Sequence, residues 1–481
     1  MTKRLKILLA ATEFTPIAKV GGLGDVIGAL PKALLKQSLD VRVIIPFYGL
    51  INRGDYKFKL IKSDIPITTK IKVERVNLWR TIFSGITIYL IEHDFYKTGD
   101  IYSSKLDKAV ELYPNDLIDI EKFVFFSHAL LESVKAINFK PDIIHLNDWH
   151  TAAVTLFLKT AYRKNHFYKK VKTLLTIHNL ANQGIAKPKI IELNQINPSL
   201  ASIMADLKDN DINFLAEGII NADLINTVSP TYAKEILTTK NSAGLRKILL
   251  KRKNDISGIL NGLDVNYFNP QTDRFIKQKY SINQPNLKIR NKTFLQKKVN
   301  LPQNEKVALV GLVSRLVWQK GLELIKKNLA ELNCQFIFLG TGNKKYEIQL
   351  KQLAKKYPKK VSAQIKFDEP LAHLIYAAAD IFLMPSRFEP CGLGQMIAMR
   401  YGTVPLVYAT GGLVDTVDEK VGFPFKNFSS NTLFITLKRA LKIYYEKVKA
   451  WRWLQQNGMS QDFSWDKPAK EYLKLYKKLL V

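Results

Sequence analysis

Cysteine is nearly absent: Cys334 and Cys391 are the only two in 481 residues. So few exclude a disulfide framework and point to a reducing compartment, the cytoplasm. No Cys/His spacing suits zinc, and the seven histidines are scattered. Long apolar runs are missing too, which excludes a bilayer-spanning segment. The opening residues, Met-Thr-Lys-Arg-Leu-Lys-Ile-Leu-Leu-Ala-Ala, imitate a secretory leader. Their apolar part is short, broken by Lys6 and followed at once by Thr12-Glu13, so it reads as a buried first strand. No repeat shorter than a domain duplication is visible. Acid is scarce: 42 Asp and Glu stand against 73 Lys and Arg, a formal net charge of +31. Such an excess can mark nucleic acid or an anionic surface as partner. Here the lysines are spread over many helices (Lys344-Lys345, Lys355-Lys356, Lys477-Lys478) and form no basic tail. Lysine, isoleucine and asparagine are abundant together, so the excess reads as a composition bias on solvated faces, against nucleic acid.

The length predicts two or three domains, with two the natural reading, and 47% hydrophobic with 24% charged residues is a globular composition. The organising stretch is Lys19-Val-Gly-Gly-Leu-Gly-Asp-Val26. An apolar strand, residues 5–10, precedes it; an amphipathic helix over 27–37 and a second strand over 41–46 follow, completing a β-α-β unit. Glycines at a strand-to-helix turn let backbone N–H groups approach a ligand, and the helix start adds partial positive charge. Lys19 supplies a full one. The cluster fits a diphosphate cradle or a plain tight turn.

Short strands are expected near 57–62, 70–75 and 86–92, then a helix over 120–136 with Phe123, Phe126, Leu130 and Val134 at helical spacing. Strand then alternates with helix, and polar residues follow each strand: Asn147-Asp148-Trp149-His150, His178-Asn179, Ser229-Pro230 and Asn261-Gly262. A polar, lysine-rich stretch over 269–304 precedes a fresh strand at 306–313, and the alternation restarts. The chain therefore reads as two α/β domains joined near 240–265, with ligands expected at their strand ends.

Two constellations in the second half can carry chemistry. In Ser314-Arg-Leu-Val-Trp-Gln-Lys-Gly321, Arg315 and Lys320 bracket a turn where they could clamp diphosphate oxygens. In Pro385-Ser-Arg-Phe-Glu-Pro-Cys-Gly-Leu-Gly394, Glu389 is held in a Pro-bounded loop ahead of a helix start. It could bond sugar hydroxyls or stabilise positive charge on a sugar ring, while amides near Cys391, Gly392 and Leu393 receive phosphate. A dehydrogenase is rejected: the second strand ends in Ile45-Pro46-Phe47, with no acid for a ribose hydroxyl.

Residues 19–26, 145–150, 176–184, 227–232, 258–264, 314–321, 385–393 and 410–416, in this order, resemble the bacterial glycogen synthases and plant starch synthases. The resemblance runs from residue 5 to Asp462-Phe-Ser-Trp465. It implies an α/β GT-B fold: two Rossmann-like domains facing across a cleft, 1–245 on the acceptor side and 246–460 on the nucleotide-sugar side. Residues 461–481 then form a helix crossing back to the first domain. It also implies transfer of glucose from a nucleotide-glucose, usually ADP-glucose, to the non-reducing end of an α-1,4-glucan, with retention and without a metal or other cofactor. The implied partners are that donor and glycogen or a malto-oligosaccharide, not a membrane. By matching motif, Lys19, Gly21, Gly22, Arg315 and Lys320 hold the diphosphate, and Glu389 is the essential carboxylate. His178 contacts the donor glucose, Asp148 and Asn261 meet the sugars, Tyr96 the acceptor, and Phe367 the base. Glu389, His178, Arg315, Lys320 and Lys19 form the expected catalytic set. Ala216-Glu217, Leu374, Tyr408, Asn182 and Gly394 depart from the family pattern, which leaves a catalytically faded glucan- or nucleic-acid-binding protein as the alternative.

Overall fold

The computed structural model describes residues 4–97, 100–102 and 117–481. The described residues up to Gly262, together with Trp465–Val481, cluster as one unit, and Leu263–Ser464 as a second.

The first unit carries β1 (Lys6–Ala10), β2 (Asp40–Pro46), β3 (Lys59–Thr68), β4 (Val73–Phe83), β5 (Ile86–Glu92), β6 (Ile143–Asn147), β7 (Lys172–Ile177), the two-residue pair β8 (Ile185–Ala186) and β9 (Ile212–Asn213), β10 (Leu224–Thr227) and β11 (Ile256–Gly258). Nine of them form a sheet in the order β11-β10-β7-β6-β1-β2-β5-β4-β3. It is parallel from β11 to β5 and antiparallel from β5 to β3. Ile7, Leu8 and Leu9 are wholly buried, as a strand covered on both faces requires. The order reverses direction between β1 and β6, and both connections leave the carboxyl edge there. That is the topological switch point of an open α/β sheet.

The second unit carries β12 (Ala308–Val313), β13 (Cys334–Leu339), β14 (Val361–Gln364), β15 (Ile381–Met384), β16 (Val404–Tyr408) and β17 (Phe423–Phe425). They form an all-parallel sheet in the order β14-β13-β12-β15-β16-β17, with its switch point between β12 and β15.

Several expectations shift. The first helix is Gly22–Leu35 and so begins inside the glycine motif, five residues before the expected start. The strands expected near 57–62 and 70–75 are the longer hairpin β3–β4, at the sheet's antiparallel edge. The first unit runs to 262, past the expected boundary at 245, because β11 pairs in parallel with β10. Residues 461–464 fall with the second unit. The last helix, Asp466–Lys478, belongs to the first unit. Its Tyr472 and Tyr476 are fully buried; the Tyr476 hydroxyl lies 2.8 Å from His145 Nδ1, and the Tyr472 hydroxyl accepts from Asn226 Nδ2 at 3.0 Å. No described helix is long and apolar enough to cross a membrane.

Candidate active site

In the first unit the site residues gather at the carboxyl ends of β1, β6, β7 and β11. Lys19, on the loop after β1, pairs its Nζ with Asp25 Oδ1 at 2.7 Å. The glycine turn holds a surprise. Glu13, three residues past β1 and buried, turns its carboxylate into the turn, where Oε2 accepts from the amides of Val20 and Gly21, both at 2.8 Å. Its Oε1 accepts from the Tyr102 hydroxyl at 2.8 Å. The expectation that the Gly21 amide meets a diphosphate is thereby corrected, because an internal carboxylate occupies it. Gly22 opens the helix without a side-chain cap. A Cβ at Gly24 would stand 3.0 Å from Glu13 Oε2 and 3.1 Å from Thr15 Oγ1, so any side chain there would press on both.

Asp148 follows β6 with φ +57° and ψ −175°, a backbone region costly for a residue bearing a Cβ. Its Oδ1 accepts from the amides of His178 at 2.7 Å and Asn179 at 3.3 Å, so it ties β6 to β7 and leaves its own helix uncapped. Burial pushes its carboxyl up to about 7 against those two bonds, and the charge of Glu13 adds to the rise. His178 Nε2 lies 2.9 Å from Asn147 Oδ1, and burial lowers its pKa to about 3, so the imidazole is neutral. Asn261 is buried, and among the described residues its Oδ1 has no hydrogen-bond partner, an acceptor left for a bound hydroxyl or amide. His150 stacks on Trp149 at 4.2 Å, and its buried Nδ1 is likewise unpaired among the described residues.

Tyr96 is a correction. Its ring is buried, packed edge-on against Tyr48 and Phe126, and its hydroxyl donates to the Lys122 carbonyl at 3.3 Å. It is a core residue here, with no face presented to an acceptor.

In the second unit the loops after β12 and β15 flank the switch point. Glu389 is buried, and its Oε2 accepts from Lys320 Nζ at 2.6 Å and from Ser386 Oγ at 2.8 Å. Arg315 is exposed, and its guanidinium makes no ion pair among the described residues. The Glu389 carbonyl accepts from the Gly412 amide at 3.0 Å. Gly411 sits at φ +47°, where a Cβ would come within 2.0 Å of that carbonyl oxygen, so the turn after β16 closes on the Glu389 loop only as glycine. Gln395 Nε2 donates to the carbonyls of Cys391 (3.2 Å) and Gly392 (2.8 Å), fixing the peptide planes ahead of the helix Gly394–Arg400. Leu393 is that helix's uncapped N-cap residue. Phe367 stands beyond β14 and is 80% exposed.

Asn182 is exposed, but the other departures are packed into the scaffold. A Cβ on Gly394 would meet the Phe382 ring at 2.9 Å. Leu374 is core, and Tyr408 packs edge-on against Phe428 at 5.1 Å. Glu217 is wholly buried, its Oε2 accepting from Ser202 Oγ at 2.7 Å, and burial raises its carboxyl to about 7. Sequence reasoning missed Glu13, Ser386 and Tyr102 as parts of the site. Glu13 carried one usable signal, an acid just past the carboxyl end of the first strand.

Two switch-point sheets, each with a cationic loop and a buried carboxylate at its strand ends, have the architecture of the GT-B glycosyltransferases. The comparisons narrow this. Residues 6–251 match the starch synthase catalytic domain family and residues 291–452 the group 1 glycosyl transferases. The chain is 41% identical to a glycogen synthase of Thermotoga petrophila, over 99% of each. It is 44% identical to one of Natranaerobius thermophilus, over 99% of this chain and 97% of that one. The catalytic domain of Arabidopsis thaliana starch synthase IV, solved with ADP and acarbose, superimposes with a TM-score of 0.90 at 31% identity, over 99% of this chain and 100% of that one. A sucrose-phosphate synthase of Thermosynechococcus elongatus shares the fold alone, with a TM-score of 0.61 at 18% identity. The chain belongs to the glycogen synthase and starch synthase family.

Proposed function

We propose that this glucosyltransferase is a glycogen synthase that moves glucose from ADP-glucose to the non-reducing end of an α-1,4-glucan, with retention of configuration. The observation that carries the reading is the buried Glu389 carboxylate at a strand switch point, held by Lys320 at 2.6 Å and by Ser386 at 2.8 Å. A carboxylate so fixed stabilises positive charge on a sugar ring without reorganising during the reaction. Arg315 and Lys320 then meet the leaving diphosphate with the amides of Cys391, Gly392 and Leu393, and Lys19 adds a further charge. The bare Phe367 ring offers a face for the base. His178, Asp148 and Asn261 take the sugar hydroxyls. The starch synthase IV domain carries ADP and acarbose, which supports a nucleoside diphosphate and a saccharide as ligands of this chain.

In this reading the bond from the anomeric carbon to the diphosphate breaks, and its electron pair leaves with the phosphate oxygen. The acceptor 4-hydroxyl attacks from the same face and passes its proton to that oxygen, so Glu389 forms no covalent adduct. Side chains and amides meet the phosphate charge, so transfer persists in EDTA. The test is a coupled assay for released nucleoside diphosphate with ADP-glucose or UDP-glucose, with and without glycogen, together with linkage analysis of the product. Glycogen-dependent ADP release with new α-1,4 bonds is expected. Glycogen binding without release overturns the catalytic reading in favour of a binding protein.

A further inference from the structure

The two loops that carry Lys320 and Glu389 are laced together, and Arg387 is at the centre of the lacing. Its backbone amide donates to the Gln319 carbonyl at 2.8 Å, while Gln319 Nε2 donates back to the Phe388 carbonyl at 3.3 Å. The guanidinium lies between two rings, 4.4 Å from the Trp318 centroid and 4.3 Å from that of Phe428, and donates to Glu323 through one terminal nitrogen. Trp318 and Glu323 belong to the segment around Lys320, whereas Arg387 stands two residues before Glu389. Gly321 completes the contact, since a Cβ there would lie 1.9 Å from the Pro385 carbonyl oxygen.

This arrangement is poorly explained as a device for stability. Arg387 Nε and Glu323 Oε2 are both buried without a partner among the described residues, so the pair leaves two polar atoms unpaid in hydrogen bonds. Trp318 remains 44% exposed. What the sandwich does fix is the separation of two loops, and with it the 2.6 Å contact of Lys320 Nζ and Glu389 Oε2. A planar, permanently charged guanidinium can lie between two rings and donate in its own plane at once; an ammonium cannot.

We infer that Arg387 is a positioning residue for glucosyl transfer, acting through the register of Lys320 against Glu389 and not by touching the donor. The inference rests on the proposed function, so wild-type turnover is measured first; its absence refutes that function alone. Given an active wild type, Arg387→Ala is expected to lower kcat 10- to 100-fold while donor KM changes less than threefold, and Arg387→Lys to restore at most part of it. The decisive readout is a double-mutant cycle. If Arg387 works through Lys320, Lys320→Ala/Arg387→Ala is no slower than Lys320→Ala. Losses that multiply, or a kcat for Arg387→Ala within twofold of wild type, overturn the inference. Should Arg387→Ala fail to fold, Glu323→Gln takes its place. It keeps the side-chain shape and loosens the guanidinium, and it is expected to lower kcat at least threefold with the same non-additivity; an unchanged kcat overturns the inference equally.

Discussion

The loop after β1 and the loop after β12 hold their lysines by different means. Each puts a lysine at a switch point, and each lysine is already paired, Lys19 with Asp25 at 2.7 Å and Lys320 with Glu389 at 2.6 Å. The first partnership is local, six residues apart on one loop and helix, and Glu13 secures the turn from just upstream. The second joins residues 69 apart through two loops that meet only when β12 and β15 become neighbours. The lesson concerns cost. Freeing Lys19 for a phosphate gives up a pair whose side chains are 25% and 26% exposed, which solvent screens in part. Freeing Lys320 uncovers a buried carboxylate, so its charge must be divided between Glu389 and the diphosphate.

That contrast predicts that the second loop is the more sensitive. Lys320→Ala is expected to lose about 3–4 kcal/mol of transition-state stabilisation, roughly 10²- to 10³-fold in kcat/KM, since it removes a phosphate cation and strands Glu389. Steady-state kinetics with ADP-glucose check this, and a loss no larger than that of Lys19→Ala would erase the comparison. Glu389→Gln keeps the shape but removes the negative charge, and about 10²-fold is expected in kcat with little change in donor binding. Single-turnover transfer from labelled ADP-glucose measures it. Near-normal transfer would remove Glu389 from the chemistry, and a glucosyl adduct trapped on the wild-type side chain would make it a nucleophile instead. Lys19→Ala is expected to cost about 2 kcal/mol in kcat/KM, with glucan affinity unchanged by affinity electrophoresis.

The smallest effect is on stability. Burial raises the carboxyls of Asp148 and Glu217 to about 7 each. Ordinary carboxyls titrate at about 4, so between about pH 4 and 7 the folded chain binds protons that the unfolded chain has released, and stability falls as pH rises through that window. Asp148→Asn and Glu217→Gln remove that slope. Each is expected to gain on the order of 1 kcal/mol relative to wild type between pH 5 and pH 8, read from urea unfolding at both values. A constant difference would show that neither acid holds its proton in the folded chain.

The alternation of apolar strands with polar or glycine turns was legible because a strand buried on both faces must be nearly all apolar. That alone placed β1, β2, β5, β6, β7, β10, β12, β13, β15 and β16 within a few residues, and with them the loops bearing Lys19, Asp148, His178, Arg315, Lys320 and Glu389. Edges were less clear. The β3–β4 hairpin is half solvated, so its pattern is weak, and β11, a strand expected just before Asn261, joins the first sheet by pairing with β10, which moved the domain boundary.

Sequence by itself determined which residue types stand at which strand ends, since composition and periodicity act along the chain. Only the tertiary structure decided who meets whom. It gave the amides of Val20 and Gly21 to Glu13, buried Tyr96 beneath Lys122, and set Arg387 between Trp318 and Phe428. A buried polar group takes the partner that packing brings within reach, and for Arg387 that choice depends on β12 and β15 becoming neighbours rather than on spacing.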